Sequence, residues 1–290
     1  MNDPLMSEAL GQLGRAIVMH LQFGAAHDGI LSLVRQACAS NVPFGATVIG
    51  PSGAGKSTLV AAIMRSMQST DLLGERPAAL HLSVQATPSV GQLIGGMLTQ
   101  LSFPPTIRPA KIYEQSEDLM RALKERRIKL LFINEGQHLT AGRRNKSSTT
   151  ITDYLKLVVD ETNIVVVVLA LPVLGHLRDI NDQLHSRSPA RFPLDAFRDD
   201  EHWVALLQGI SKECSAVQLA VVCEQFARAT FKATHGLLRP LKQLLVGAVG
   251  NARSRGLTEV DARSLQESFH LLFSDGGSVP NPFLSRGTRA

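Results

Sequence analysis

The sequence predicts an α/β chain: a mostly parallel sheet flanked by helices, continued by an all-α domain. Three observations carry this. Short continuous apolar runs alternate with segments of helical spacing as far as Phe197, a glycine-rich loop joins the first run to a helix, and beyond Phe197 only helical spacing remains.

The elements follow in order. Ile30, Leu31, Leu33, Val34 and Ala37 recur at helical spacing, so one or two helices are expected before the turn-forming Asn41-Val42-Pro43. Ala46 to Ile49 is a β-prone run, and Ser57 to Met67 has a helical pattern. A second strand is expected at Ala79 to Val84, helices at Val90 to Leu101 and Glu117 to Arg126, and a third strand at Lys129 to Ile133. Asp153 to Asp160 reads as helix and Ile164 to Ala170 as the fourth strand. The run Ile164 to Leu171 spans eight residues, too short to cross a bilayer as a helix, so it reads as a buried strand. Helices are then expected at Asp200 to Ile210, Val217 to Thr230, Leu238 to Ser254 and Glu259 to Leu272. The resulting division is an N-terminal helical segment 1–41, an α/β domain 42–197, a helical domain 198–273 and a flexible tail 274–290.

Composition bounds the function classes. The chain has 290 residues, 44% of them apolar and 19% charged, which excludes a disordered polyelectrolyte. Cys38, Cys214 and Cys223 form no CxxC pair, so neither a disulfide framework nor a thiolate zinc site is supported, and a reducing cytoplasm is the expected location. The N-terminus, with Asp3, Pro4 and Glu8, lacks the layout of a secretory signal. A formal charge of +5 is compatible with a polyanionic partner without requiring one.

The chemistry concentrates in two places. Gly50-Pro51-Ser52-Gly53-Ala54-Gly55-Lys56-Ser57, followed by Thr58, matches the P-loop pattern between an expected strand and an expected helix. Glycines let successive N–H groups face phosphates, Lys56 supplies a cation to the outer phosphates, and the Ser57 hydroxyl can ligate Mg²⁺. ATP with Mg²⁺ is the expected ligand. Leu130 to Glu135, an apolar run ending in a polar pair, resembles a Walker B element. There Asp ordinarily supports metal-bound water and Glu polarises the attacking water. Here Asn134 replaces the Asp, so Asn134 is the second candidate metal contact and Glu135 the candidate catalytic carboxylate. The lost anion matters: at about 5 Å and an effective dielectric of about 20, its gross attraction for a divalent cation is about 7 kcal/mol before solvation offsets most of it.

The ordered set of segments resembles the AAA+ transposition regulators of the TniB/TnsC type, a group related to the phage Mu B protein. It comprises His20-Leu21-Gln22-Phe23, Ala86-Thr87-Pro88-Ser89-Val90, Leu98-Thr99-Gln100-Leu101, Leu130 to Leu139, Asp153-Tyr154-Leu155-Lys156, Arg191-Phe192, His235-Gly236-Leu237-Leu238 and Asn281-Pro282-Phe283. The resemblance implies an AAA+ P-loop NTPase with a C-terminal α-helical lid. It further implies an ATPase that oligomerises on target DNA and connects a target-selection protein to the transposase. In that class a neighbouring subunit donates an arginine finger, for which Arg187 and Arg191 are the candidates. The resemblance makes Arg239 the candidate for sensor 2, although Pro240 stands where relatives often carry the basic residue. Leu171 stands where a polar sensor 1 residue would orient water.

Asn134 and Leu171 together predict slow hydrolysis with ATP binding retained. This keeps open an ATP-gated oligomeric scaffold with impaired hydrolysis, and leaves a small-molecule P-loop kinase as a weaker third reading. Arg143, Arg144 and Lys146, with Ser147 to Thr150, are expected to form a basic, hydroxyl-rich loop suited to double-stranded DNA backbones without base reading. His138 is a candidate nucleotide-sensing residue, and Asn281-Pro282-Phe283 a candidate aromatic anchor for a partner. No membrane association is expected.

Overall fold

The computed structural model describes residues 4–42, 44–69, 78–85, 89–102, 111–139, 146–172, 190–273 and 280–284; at 69, 137 and 146–150 only the backbone is described. Two compact units emerge, one of Leu21–Ser52 with Lys56–Asp195, the other of Met1–His20, Gly53–Gly55 and Ala196–Ala290. The expected N-terminal segment 1–41 is thereby divided: α1 (Pro4–Arg15) joins the helical unit and α2 (Leu21–Ser40) the sheet unit.

In the sheet unit, β1 (Gly45–Ile49), β2 (Ala78–Ser83), β3 (Ile128–Asn134), β4 (Val165–Ala170) and β5 (Ala190–Pro193) form one parallel sheet in the order β2-β3-β4-β1-β5. All of Val165–Ala170 is buried, because β4 lies mid-sheet and both its faces are covered. Leu131, Ile133, Val166 and Val168 pack in one core with α4 (Val90–Gln100), α5 (Ile112–Glu125) and α6 (Lys146–Thr162). The alternate residues point to the other face, where α2 packs with α3 (Lys56–Ser69). β5 was not expected as a strand; its four residues pair with β1, and the Phe192 ring lies where a Cβ on Gly29 would sit. The free edge of β2 is closed by Gln100, whose side chain donates to His81 O at 2.7 Å and accepts from His81 N–H at 3.3 Å.

Helix boundaries follow local chemistry. Ser89 and Gln92 form a reciprocal capping box that starts α4 at Val90. The Glu114 carboxylate accepts from Lys111 N–H at 3.0 Å and starts α5 five residues earlier than the apolar spacing alone suggests. The expected loop at Lys146 to Thr150 is corrected: these residues are the first turns of α6.

The helical unit contains α1, α7 (Glu201–Glu213), α8 (Ala220–Glu224), α9 (Ala227–Thr234), α10 (Leu238–Ser254) and α11 (Ala262–Phe273). The single helix expected over Val217 to Thr230 is broken. Gln218 bridges Glu259 and bonds with Thr258 and Val260, which keeps the chain extended until Ala220. Trp203 is fully buried, donates to Ala227 O at 2.8 Å, and stands between Phe197 and Phe231. Asp261 caps α11 through Ser264 N–H at 2.8 Å and pairs with the Arg255 guanidinium, which holds its carboxyl well below the ordinary range. Lys242 Nζ on α10 donates to Gly14 O and Ala16 O, satisfying carbonyls at the end of α1.

The expected free tail is also corrected at 280–284. Phe283 is buried against Phe226 and Phe269, and Gln266 and Asn281 tie its backbone to α11. The aromatic anchor therefore serves the chain's own core. Phe283→Leu is expected to destabilise this unit by about 1–2 kcal/mol, read as a lower urea midpoint at unchanged slope.

His20 meets Phe197 edge-on, with ring centroids 4.7 Å apart, and burial pushes its imidazole down to about 4. The unfolded chain, with an ordinary histidine pKa of about 6.5, then binds the extra proton between these values. Stability is full above this window and falls as pH drops through it. Allowing for solvent screening, the loss from about pH 7 to about pH 5 is about 1 kcal/mol. Urea midpoints of His20→Phe should lack this increment.

Candidate functional site

The P-loop leaves the carboxyl end of β1, where open parallel sheets place ligands. The junction of strand and loop is pinned on both sides: Gly50 N–H donates to Ala170 O at 3.2 Å, and Leu194 N–H to Ile49 O at 2.8 Å. A Cβ on Gly50 would stand 2.0 Å from Leu194 O, so no larger residue fits without moving backbone. Gly53 and Gly55 adopt φ of +84° and +103°, conformations that side chains disfavour and that let the loop turn its N–H groups inward.

Ser52 is exposed and Pro51 partly so, while Ala54 is buried in the turn. Lys56 Nζ donates to Gly50 O at 2.5 Å and Pro51 O at 2.9 Å, which holds the cation over the loop. Ser57, exposed, and Thr58 lie in the first turn of α3, where the helix dipole favours an anion. The loop thus brings together nine of the expected nucleotide-contacting residues, Gly50 through Thr58.

Asn134 ends β3 in register with Ser83, and its carbonyl accepts from Val84 N–H at 3.2 Å. Ile133 pairs with Val168, and Val168 with Thr47, so extending the register sets Glu135 level with Ala170 and Ile49, the point where the P-loop begins. One strand intervenes, which places the β3 and β1 backbones about 10 Å apart. Glu135 takes φ +60°, uncommon for a residue with a side chain, and its carbonyl accepts from His138 N–H at 2.9 Å in the short turn Gly136–Leu139. Gly136 makes that turn possible: a Cβ there would meet Val168 Cγ1 at 2.3 Å.

The donor set fits a triphosphate better than it fits a metal cage. Among the described residues no group of three or more His, Cys, Asp or Glu could hold a metal ion. The Ser57 hydroxyl and the neutral Asn134 oxygen are the groups that would contact a bound Mg²⁺, an ion that takes few protein ligands.

Arg191 is exposed on edge strand β5, in register with Thr47. Arg187, Arg143 and Arg144 lie outside the described residues, as does the Lys146 side chain. Within the helical unit, Arg239 N–H donates to Gly53 O at 3.0 Å, and Leu238 Cδ1 lies 2.9 Å from where a Gly55 Cβ would be. The start of α10 therefore abuts the loop tip. Leu171 directly follows β4 and carries no hydrogen-bonding group. Sequence reasoning missed Leu194, whose carbonyl walls Gly50, and the reciprocal Gln22–Asp195 pair at 3.1 and 2.9 Å. The first has no local signal; the second is visible only once both residues are folded together.

Solved structures with this fold include the ORC1 protein of Aeropyrum pernix in complex with DNA, with TM-score 0.69 and 16% identity over 87% of this chain and 65% of that one. The ORC2 protein of Aeropyrum pernix, as ADPNP–ADP complexes, gives 0.67 and 15% over 85% and 66%. Cdc6p from Pyrobaculum aerophilum gives 0.67 and 12% over 92% and 70%. The chain thus spans about two thirds of the length of these proteins, and at such identities the likeness establishes the AAA+ fold alone. No curated protein sequence matches significantly. No helix among the described residues is long and apolar enough to cross a membrane. The family model described as Bacterial TniB protein matches residues 20–194, the sheet unit almost from end to end, and the chain belongs to that TniB family.

Proposed function

We propose that this chain is an ATP-dependent, DNA-binding regulator of transposition that assembles on double-stranded target DNA and recruits or activates a transposase in concert with a target-selection protein. The observation that carries the reading is the P-loop, with Lys56 held over it and Glu135 set level with its start by strand register. ATP is the ligand, bound by residues 50–58, with Arg239 as a nucleotide-responsive lid contact. Mg²⁺, when bound, neutralises phosphate charge. Glu135 orients the attacking water, and Arg191 or Arg187 of a neighbouring copy stabilises charge on the transferring phosphoryl group. Exposure of Arg191 on an edge strand suits a residue that must reach another subunit. Arg143, Arg144 and Lys146 contact DNA phosphates, so binding is salt-sensitive and independent of sequence.

Asn134 and Leu171 favour a second reading of the same assembly, an ATP-gated scaffold that turns over slowly. The test is sedimentation and negative-stain imaging with duplex DNA in the presence of no nucleotide, ADP or a nonhydrolysable ATP analogue. Filaments or higher oligomers on DNA are expected only with the ATP analogue. Identical DNA binding in all three conditions would contradict the reading.

A further inference from the structure

A groove of about 540 Å³ runs between α5 and α6 on the sheet unit, and none of the site residues assigned above lines it. Its apolar floor is Met120 and Leu157, and Leu157 is 46% exposed where Ile151, Leu155, Val158 and Val159 of the same helix are buried. Arg121 is paired with Asp118, and Lys124 lies 3.9 Å from Glu161. Glu117 and Glu125, on the same lip, have no ion partner among the described residues. The groove is lined by Glu117, Glu125 and Glu161 against Arg121 and Lys124, a net of −1 in a chain of net +5.

We infer that the α5/α6 groove docks a basic amphipathic helix of a partner protein. The two carboxylates without an ion partner argue against nucleic acid, since phosphates would meet Glu117 and Glu125. The spacing indicates a helix: Glu117 and Glu125 stand two turns apart, about 12 Å along α5, which matches basic residues two turns apart on a helical ligand. Apolar side chains of that ligand, between the two basic positions, would cover Met120 and Leu157 in the helix-in-groove manner. Burying the apolar strip supplies affinity, while the two carboxylates fix register and select against acidic helices.

The test uses the full chain and two synthetic helical peptides, one with leucines on one face flanked by lysines two turns apart, the other its glutamate-for-lysine twin. The inference does not depend on nucleotide, so ATP binding serves as the folding control for each variant. Fluorescence anisotropy should show saturable binding of the lysine peptide alone. Leu157→Glu should weaken it at least about tenfold, and Glu117→Gln with Glu125→Gln about fivefold, with most of the latter difference lost at high salt. Hydrogen exchange should slow in 112–125 and 153–161 on binding. Equal binding of both peptides, insensitivity to the variants, or protection elsewhere would overturn the proposal. So would self-association of the free chain that Leu157→Glu abolishes, since the groove would then serve a second copy.

Discussion

Lys56→Ala is expected to weaken ATP binding about a hundredfold without unfolding the chain. The ammonium is held by Gly50 O and Pro51 O, so the native structure fixes a cation over the loop proposed to bind the phosphates. A charge-assisted hydrogen bond to phosphate contributes about 3 kcal/mol, which is about two powers of ten in affinity. Alanine suits the first turn of a helix, and Lys56 is only partly buried, so thermal stability without nucleotide should change little. Calorimetric titration checks both parts. Lys56→Arg should recover little, because a wider guanidinium cannot occupy the small space above two carbonyls.

Glu135→Gln is expected to lower steady-state ATP turnover about a hundredfold while leaving ATP affinity within about twofold. The change is isosteric, so the left-handed backbone at Glu135 and the turn to His138 should persist. What is lost is the charge proposed to polarise the attacking water. The companion substitution separates hydrolysis from binding. Asn134→Asp restores an anion at the end of β3 and should raise turnover about tenfold, with a lower Mg²⁺ requirement. If neither substitution changes turnover, the attacking water is oriented elsewhere and the Walker B assignment fails. If Asn134→Asp accelerates hydrolysis but dissolves DNA-bound oligomers, the slow-turnover scaffold reading gains.

Much of this architecture is legible in the chain itself. The buried strands β3 and β4 are continuous apolar runs because helices cover both faces, and α10 begins and ends at the residues its apolar spacing marks. The P-loop is legible because all its groups are contiguous. Features set by distant partners are not. β5 has only four residues, and Phe192 gains meaning only under the backbone of Gly29. The extended stretch before α8 depends on Gln218 pairing with residues some forty positions later. α1 belongs to the helical unit because Lys242 and Gln12 secure it there, which no local pattern announces. At the site, the strand register that levels Glu135 with the P-loop and the approach of Arg239 to Gly53 are likewise products of folding. Phe283 illustrates the converse: an aromatic in a polar tail looks available to a partner, yet the chain uses it internally.

The most direct measurement is isothermal titration of the purified chain with ATP and Mg²⁺, alongside Lys56→Ala. Saturable uptake of one nucleotide per chain, strongly weakened in the variant, is the predicted result. Absence of uptake by the native chain, or uptake indifferent to the loss of Lys56, would contradict the account at its foundation.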